Sequence, residues 1–341
     1  MHIKVLNSDL ADNYETFVLS QPESLFFQSW RHQNLLMEIL DCKQQTLLAL
    51  DDEGKILGAL PLLSMEGKFG RCINSLPFFG SNGGFIGRDQ FARSKIIDFY
   101  NNMINSTDIC ASTIIENPLN PIEDNNLVYD FIDMRVGQLT KLPSGEDIEG
   151  SLMRSFHYKT RNMIRKADKV GVHVQIDNDA TSFLADTHEK NLNDIQGCAK
   201  PRIFFDLLSE YFKPDDDYRI YTAYLNGEMV AALLVFFYNK TVEYYTPTVR
   251  RENRDSQALS ALIFFALSDA SMRGFTWWNW GGTWLSQEGV YRFKSRWCAK
   301  DLQYRYFTKV NKPEILNLSN NDLLMEYPFF YTLPFSELSK L

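Results

Sequence analysis

The stretch GVYRFKSRWCAKDLQYRYF, residues 289–307, sets Arg292, Lys294 and Arg296 among aromatic side chains in a chain of formal net charge -8. It follows WWNWGG, residues 277–282, and five of the six tryptophans fall within residues 277–297. A lysine ammonium in such a setting can steady the negative charge that develops on a carbonyl oxygen during acyl transfer. Gly281 and Gly282 would let backbone approach a ligand closely, or mark a bulge or turn. The plainer alternative is a buried strand whose basic stems snorkel to the surface.

A second set of groups lies upstream, in YYTPTVRRENRDSQALSALIFF. Here a strand feeds a basic loop, and the loop feeds a helix N-terminus, where free backbone N–H groups favour an anion. Arg250, Arg251 and Arg254 add charge, so the pyrophosphate of an acyl carrier or nucleotide would fit; the competing reading is a solvated loop capped by Ser256. Glu243, between Val242 and Tyr244, could take a proton from an attacking amine if burial raised its pKa. Tyr245 and Tyr291 are candidate proton donors. The helix expected over 154–169 carries Arg154, Lys159, Arg161, Arg165, Lys166 and Lys169 against one acid, Asp168. That reversal of sign suits a phosphate-bearing partner or a solvated face.

Other chemistries are not expected. The histidines at 2, 32, 157, 173 and 188 show no metal-ligand spacing, and neither a Gly-x-Ser-x-Gly elbow nor a Rossmann glycine fingerprint occurs. Five scattered cysteines without a Cys-x-x-Cys pair point to reduced thiols rather than a disulfide frame or zinc knuckle. The acidic balance argues against a DNA-coating protein. MVAALLVFF, the longest apolar run, is far below the roughly 20 residues that span a bilayer. MHIKVLNSDL has no long apolar core of a signal peptide. A soluble, cytoplasmic protein is expected.

The elements that must position these groups recur. ALDDEGKILGALPLL from Ala49 and AYLNGEMVAALLVFF from Ala223 each read as strand, glycine-bearing turn, strand. Gly54 and Gly227 lie 173 residues apart, about half the chain, which favours two copies of one α/β module with mixed sheets. The first half adds a strand near Ile3, helices through ADNYETFVLS, SWRHQNLLMEIL and RSKIIDFYNNMI, and the strand STIIEN. KLPSGEDIEG, residues 141–150, reads as a linker. TVEYYTPTV reads as a strand and ALSALIFFALSDASMRG as a helix ending at Gly274. The expected division is 1–145, 150–310, and a tail over 311–341 that packs back on the body.

Taken together, HYKTRNMIRKADKVGV, NGEMVAALLVF, RRENRDSQALSALIFFALSDASMRGF, WNWGG and GVYRFKSRWCA resemble, in order, the FemAB-type aminoacyl and acyl transferases. The resemblance covers residues 150–310, with weaker support over 45–87. It implies two tandem GNAT-like modules, each a mixed β-sheet flanked by helices, and transfer of an acyl or aminoacyl group onto an amine (EC 2.3). The donor would be acyl-CoA, acyl carrier protein or aminoacyl-tRNA. The acceptor would be an amino sugar or peptidoglycan precursor of the bacterial cell envelope, reached without a membrane span though peripheral contact with a lipid-linked precursor is open. Phe293 and Lys294 match the family's Phe-Lys pair, which implies acceptor contact and transition-state support. Asn279 stands where many relatives carry Asp. The expected site is therefore Lys294, Glu243 and Tyr291 for catalysis, Arg250, Arg251, Arg254 and Ser256 for the donor, and Phe293, Asn279, Trp280, Lys159 and Arg161 for substrate. The competing reading is a non-catalytic glycan- or RNA-binding module using the same aromatic and basic cleft.

Overall fold

A computed structural model describes residues 1–79, 82–122, 126–284, 286–334 and 337. In chain order the elements are β1 (His2–Val5), α1 (Ala11–Ser20), α2 (Trp30–Leu40), β2 (Lys43–Gln44), β3 (Leu47–Leu50), β4 (Ile56–Leu60), β5 (Leu63–Gly67), β6 (Gly70–Asn74), α3 (Gln90–Ile104), β7 (Ile109–Ile115) and β8 (Phe131–Lys141). There follow α4 (Ile148–Ser155), α5 (Tyr158–Lys169), β9 (His173–Ile176), α6 (Thr181–Asn193), α7 (Arg202–Asp206), α8 (Leu208–Tyr211), β10 (Tyr218–Leu225), β11 (Glu228–Tyr238), β12 (Thr241–Val249), α9 (Ala258–Met272), β13 (Trp277–Thr283), α10 (Glu288–Ser295), β14 (Lys300–Val310) and α11 (Asn320–Glu326).

The chain forms two compact units, Met1–Val136 with Leu302–Leu341, and Gly137–Asp301. The first holds a three-stranded antiparallel sheet, β1-β3-β4, and the run β2-β5-β6-β7-β14, parallel only at β6 and β7. Its core gathers Leu47, Leu60, Ile73, Ile96, Tyr100 and Phe307. The C-terminal segment belongs to this unit because Tyr327 donates to the Gly70 carbonyl (2.8 Å) and Tyr331 accepts and donates across β6: its N–H reaches Asn74 Oδ1 at 2.6 Å and its C=O receives Asn74 Nδ2 at 3.0 Å.

The second unit is the run β13-β12-β11-β10-β9, antiparallel except where β12 meets β13. β10 and β11 join through Asn226 and Gly227, at φ 54° and 83°. Two successive left-handed residues give the turn whose twist matches a tight hairpin. α9 packs on one face, where Leu262, Ala266, Trp278, Trp280 and Trp297 close the core.

One expectation needs correction and one alternative falls away. The basic segment 154–169 is not one helix: it breaks between α4 and α5, because Phe156 turns extended (ψ 149°) to bury its ring against Trp297, 5.1 Å between centroids. His157 then restarts the helix, its ring nitrogen accepting the Lys159 N–H at 3.2 Å. The alternative of one buried strand over residues 289–307 does not hold, since α10 precedes β14 there. Phe293 on α10 and Trp297 in the turn after it both pack on the core, and Cys298 at φ 61° turns the chain into β14.

Candidate active site

β12 and β13 are paired at only three positions, Thr241–Trp277, Val242–Trp278 and Glu243–Asn279; β12 then continues to Val249 and β13 to Thr283. Glu243 stands where the pairing ends, 2% exposed. Burial pushes its carboxyl up to about 8, against a hydrogen bond from Asn279 that works the other way. Its Oε1 has no hydrogen-bond partner among the described residues. A buried carboxyl with one oxygen free is suited to receive a proton from a bound group. Asn279 is held in turn: its Oδ1 accepts the Gly281 N–H at 2.9 Å, which needs the positive φ (73°) that Gly281 adopts.

A bulge follows directly. Leu234 pairs with Thr246 and Val235 with Tyr244, so Tyr245 is the extra residue. Its ring meets Phe236, the ladder partner of Glu243, at 5.1 Å and Phe204 at 5.5 Å. Above that ring, at 4.6 Å, sits the ammonium of Lys200, itself 8% exposed and lowered by burial to about 7. The Lys200 N–H donates to His188 Nε2 (3.1 Å), and burial followed by the nearby Lys200 lowers His188 to about 4. Lys200 and His188 were absent from the sequence-derived site. The one available signal was Lys200 directly before Pro201 and the apolar run that follows.

Lys294 does not point into bulk water. It is 7% exposed, and its Nζ donates to Thr283 Oγ1 (2.9 Å), Gly282 O (3.0 Å) and Gly281 O (3.5 Å), while burial lowers it to about 8. Thr283 donates to Gln138 Oε1 (3.2 Å), and Gln138 Nε2 donates to Ser295 (3.1 Å) and Asp301 (3.3 Å). Tyr291 donates its phenol O–H to the other Asp301 oxygen at 2.6 Å; that bond raises its pKa, and the residue is 38% exposed. A polar chain thus joins Lys294 to Tyr291, whereas Glu243 is held by Asn279 outside that chain.

The remaining candidates separate. Phe293 is half-buried against Trp280 and Trp297. Trp280, expected at the substrate, is 2% exposed with its indole N–H on Thr140 (2.9 Å), so it is a core residue and leaves no face for a ligand. Lys159 is exposed on α5, and Arg161 donates to the Phe156 carbonyl at 2.6 Å. The loop of residues 251–256 is a short 3-10 helix. Arg250 pairs with Glu228 (3.3 Å) and Arg251 with Asp194 (3.6 Å); both line a cavity of ≈ 450 Å³ with Phe183, Lys190 and Asn191. Arg254 is exposed, and Ser256 Oγ bridges Asn253 O and the Ala258 N–H. Among the described residues no cluster of three or more His, Cys, Asp or Glu is placed to hold a metal, and no helix is long and apolar enough to cross a membrane.

The acetyltransferase (GNAT) domain family matches residues 154–295. No curated protein matches the sequence. Among solved structures the fold is similar to FemX, with 12% identity, a TM-score of 0.70, and coverage of 92% of this chain and 98% of that one. It is also similar to the C-terminal domain of a putative lysylphosphatidylglycerol synthetase from Agrobacterium fabrum: 10% identity, TM-score 0.54, covering 96% and 100%. A tandem GNAT protein from the clavulanic acid biosynthesis pathway shares 10% identity at a TM-score of 0.50, covering 91% and 98%. Residues 154–295 thus match the acetyltransferase (GNAT) domain family, and the fold of the chain, a mixed α/β architecture, is similar to that of FemX and of a tandem GNAT protein.

Proposed function

We propose that the second unit moves an acyl or aminoacyl group from an activated donor onto an amine of a cell-envelope glycan or peptidoglycan precursor. The observation that carries this reading is Glu243: buried, raised to about 8, and with Oε1 unpartnered where β12 and β13 stop pairing. The amine nitrogen attacks the donor carbonyl, the C–N bond forms, and the C–S or C–O bond to the carrier breaks. The proton lost by the amine goes to Glu243, which returns it to the departing sulfur or oxygen, so that the carrier leaves as a thiol or hydroxyl. Lys294 offers N–H to negative charge on the carbonyl oxygen, at the cost of one of its three present acceptors. Holding both reactants in one cleft removes the entropy of their meeting.

Acyl-CoA, acyl carrier protein and aminoacyl-tRNA all present such a carbonyl. A similar fold occurs in the C-terminal domain of a putative lysylphosphatidylglycerol synthetase, whose name includes a lysyl group, and this supports the aminoacyl option. The cations exposed on α5, Lys159, Arg165, Lys166 and Lys169, suit a tRNA phosphate backbone. The test is incubation of the protein with each donor and with amino-sugar or peptidoglycan-precursor acceptors, followed by mass spectrometry. Amide product with wild type and its loss in Glu243→Gln support the reading. Retention of glycan or RNA without consumption of any donor would replace it with a binding module.

A further inference from the structure

Beyond Glu243 the outer edge of β12 faces away from β11 and is not paired with β13. The Arg250 N–H donates inward to Val230 O at 2.8 Å, so by the alternation of an antiparallel ladder Val249 turns both of its backbone groups outward. Both are already taken. Asn191 on α6 donates its amide N–H to Val249 O (3.1 Å) and accepts the Val249 N–H on Oδ1 (3.3 Å). Two residues back along the same edge stands Pro247, which has no N–H to give.

The placement of Asn191 follows from α6. Thr187 and His188, four and three residues earlier, are buried on the same helical face, and the helix packs along β12. A second tie, Arg251 to Asp194 at 3.6 Å, joins the end of this helix to the segment after β12.

An open strand edge with free N–H and C=O groups is a template for any extended chain that carries amides. The phosphopantetheine arm of CoA and of carrier proteins is such a chain, with two amide bonds. We propose that Asn191 is a specificity residue which, with Pro247, closes the outer edge of β12 to strand addition by a phosphopantetheine arm. The inference rests on reading this unit as an acyltransferase whose donor carbonyl is brought to Glu243 at the end of the β12–β13 pairing. A donor then presents its carbonyl without laying an amide-bearing arm along β12.

Calorimetric titration with acetyl-CoA tests this without turnover, comparing wild type with Asn191→Ala and with Asn191→Ala/Pro247→Val. The double variant frees Val249 and restores an N–H at position 247, and it should bind at least about tenfold tighter than wild type. A ratio near one, with melting temperatures unchanged, overturns the proposal whatever the wild-type affinity. Should alanine disturb α6, Asn191→Ser, too short to span both Val249 groups, takes its place under the same criterion. Failure of the acyltransferase reading shows separately, as no donor consumption with any donor and acceptor pair.

Discussion

Glu243 and Asn279 are direct partners across the last pair of the parallel β12–β13 ladder, and their side chains are hydrogen-bonded. The same Asn279 accepts the Gly281 N–H, and the Gly281 and Gly282 carbonyls hold Lys294. One turn of β13 therefore braces both titratable groups of the proposed chemistry.

Glu243 must be ionised to accept a proton and Lys294 protonated to donate a hydrogen bond. With both near 8, kcat/KM should follow a bell centred about pH 8. Glu243→Gln should abolish the rising limb and lower kcat by roughly 10²–10⁴. A rising limb that persists in the variant would remove Glu243 from the role of base.

Lys294→Met should lower kcat by about 10²–10³ and leave KM for the acceptor within about twofold. Steady-state kinetics decides it, since a raised KM with kcat intact would assign Lys294 to acceptor binding instead. Lys294→Arg should not rescue, because a planar guanidinium does not match the point-like cluster of Thr283 Oγ1, Gly282 O and Gly281 O.

Glu243 also makes stability depend on pH. Its folded pKa of about 8 lies above the ordinary 4.5, so between those values the folded state holds a proton that the unfolded state has lost. Stability should fall as pH rises from about 4.5 to 8, by an order of a few kcal/mol. Glu243→Gln should flatten that fall, read as melting temperature across pH 5–9; parallel curves for the two proteins would contradict it.

Trp297 is fully buried, and its ring packs against Phe156, Trp280 and Phe293. Trp297→Ala should cost about 3–5 kcal/mol in urea denaturation. Since the Arg296 carbonyl accepts both the His157 N–H and the Thr160 hydroxyl, the start of α5 should lose amide-exchange protection in the same variant.

In the first unit Glu116, 1% exposed, accepts Arg305 Nε (2.9 Å) and Nη2 (2.7 Å), and also the N–H of Ile122 and of Arg305. Glu116→Ala leaves the Arg305 guanidinium with the Ile122 carbonyl and takes the acceptor from two N–H groups, and it should cost about 1–3 kcal/mol for each buried donor left unpaired. Glu116→Gln should cost less, and equilibrium unfolding of both variants measures the difference.

Periodicity and turn chemistry are local, and so the hairpin at Asn226–Gly227, the strand β12 and the helix α9 were legible from residues alone. The residue types of the candidate site were legible too, because a lysine among tryptophans and a glutamate mid-strand are unusual. What sequence could not contain was the direction of each side chain. Trp280 lies beside Asn279 in the chain, yet strand alternation sends one ring into the α9 core and the other side chain to Glu243. The break at Phe156 depends on Trp297, more than a hundred residues away. Lys200, His188 and Asn191 meet β12 only because α6 and the segment after it fold across that face. Burial lowers the pKa values of Lys200 and His188, and burial belongs to the packed fold rather than to any short run of residues.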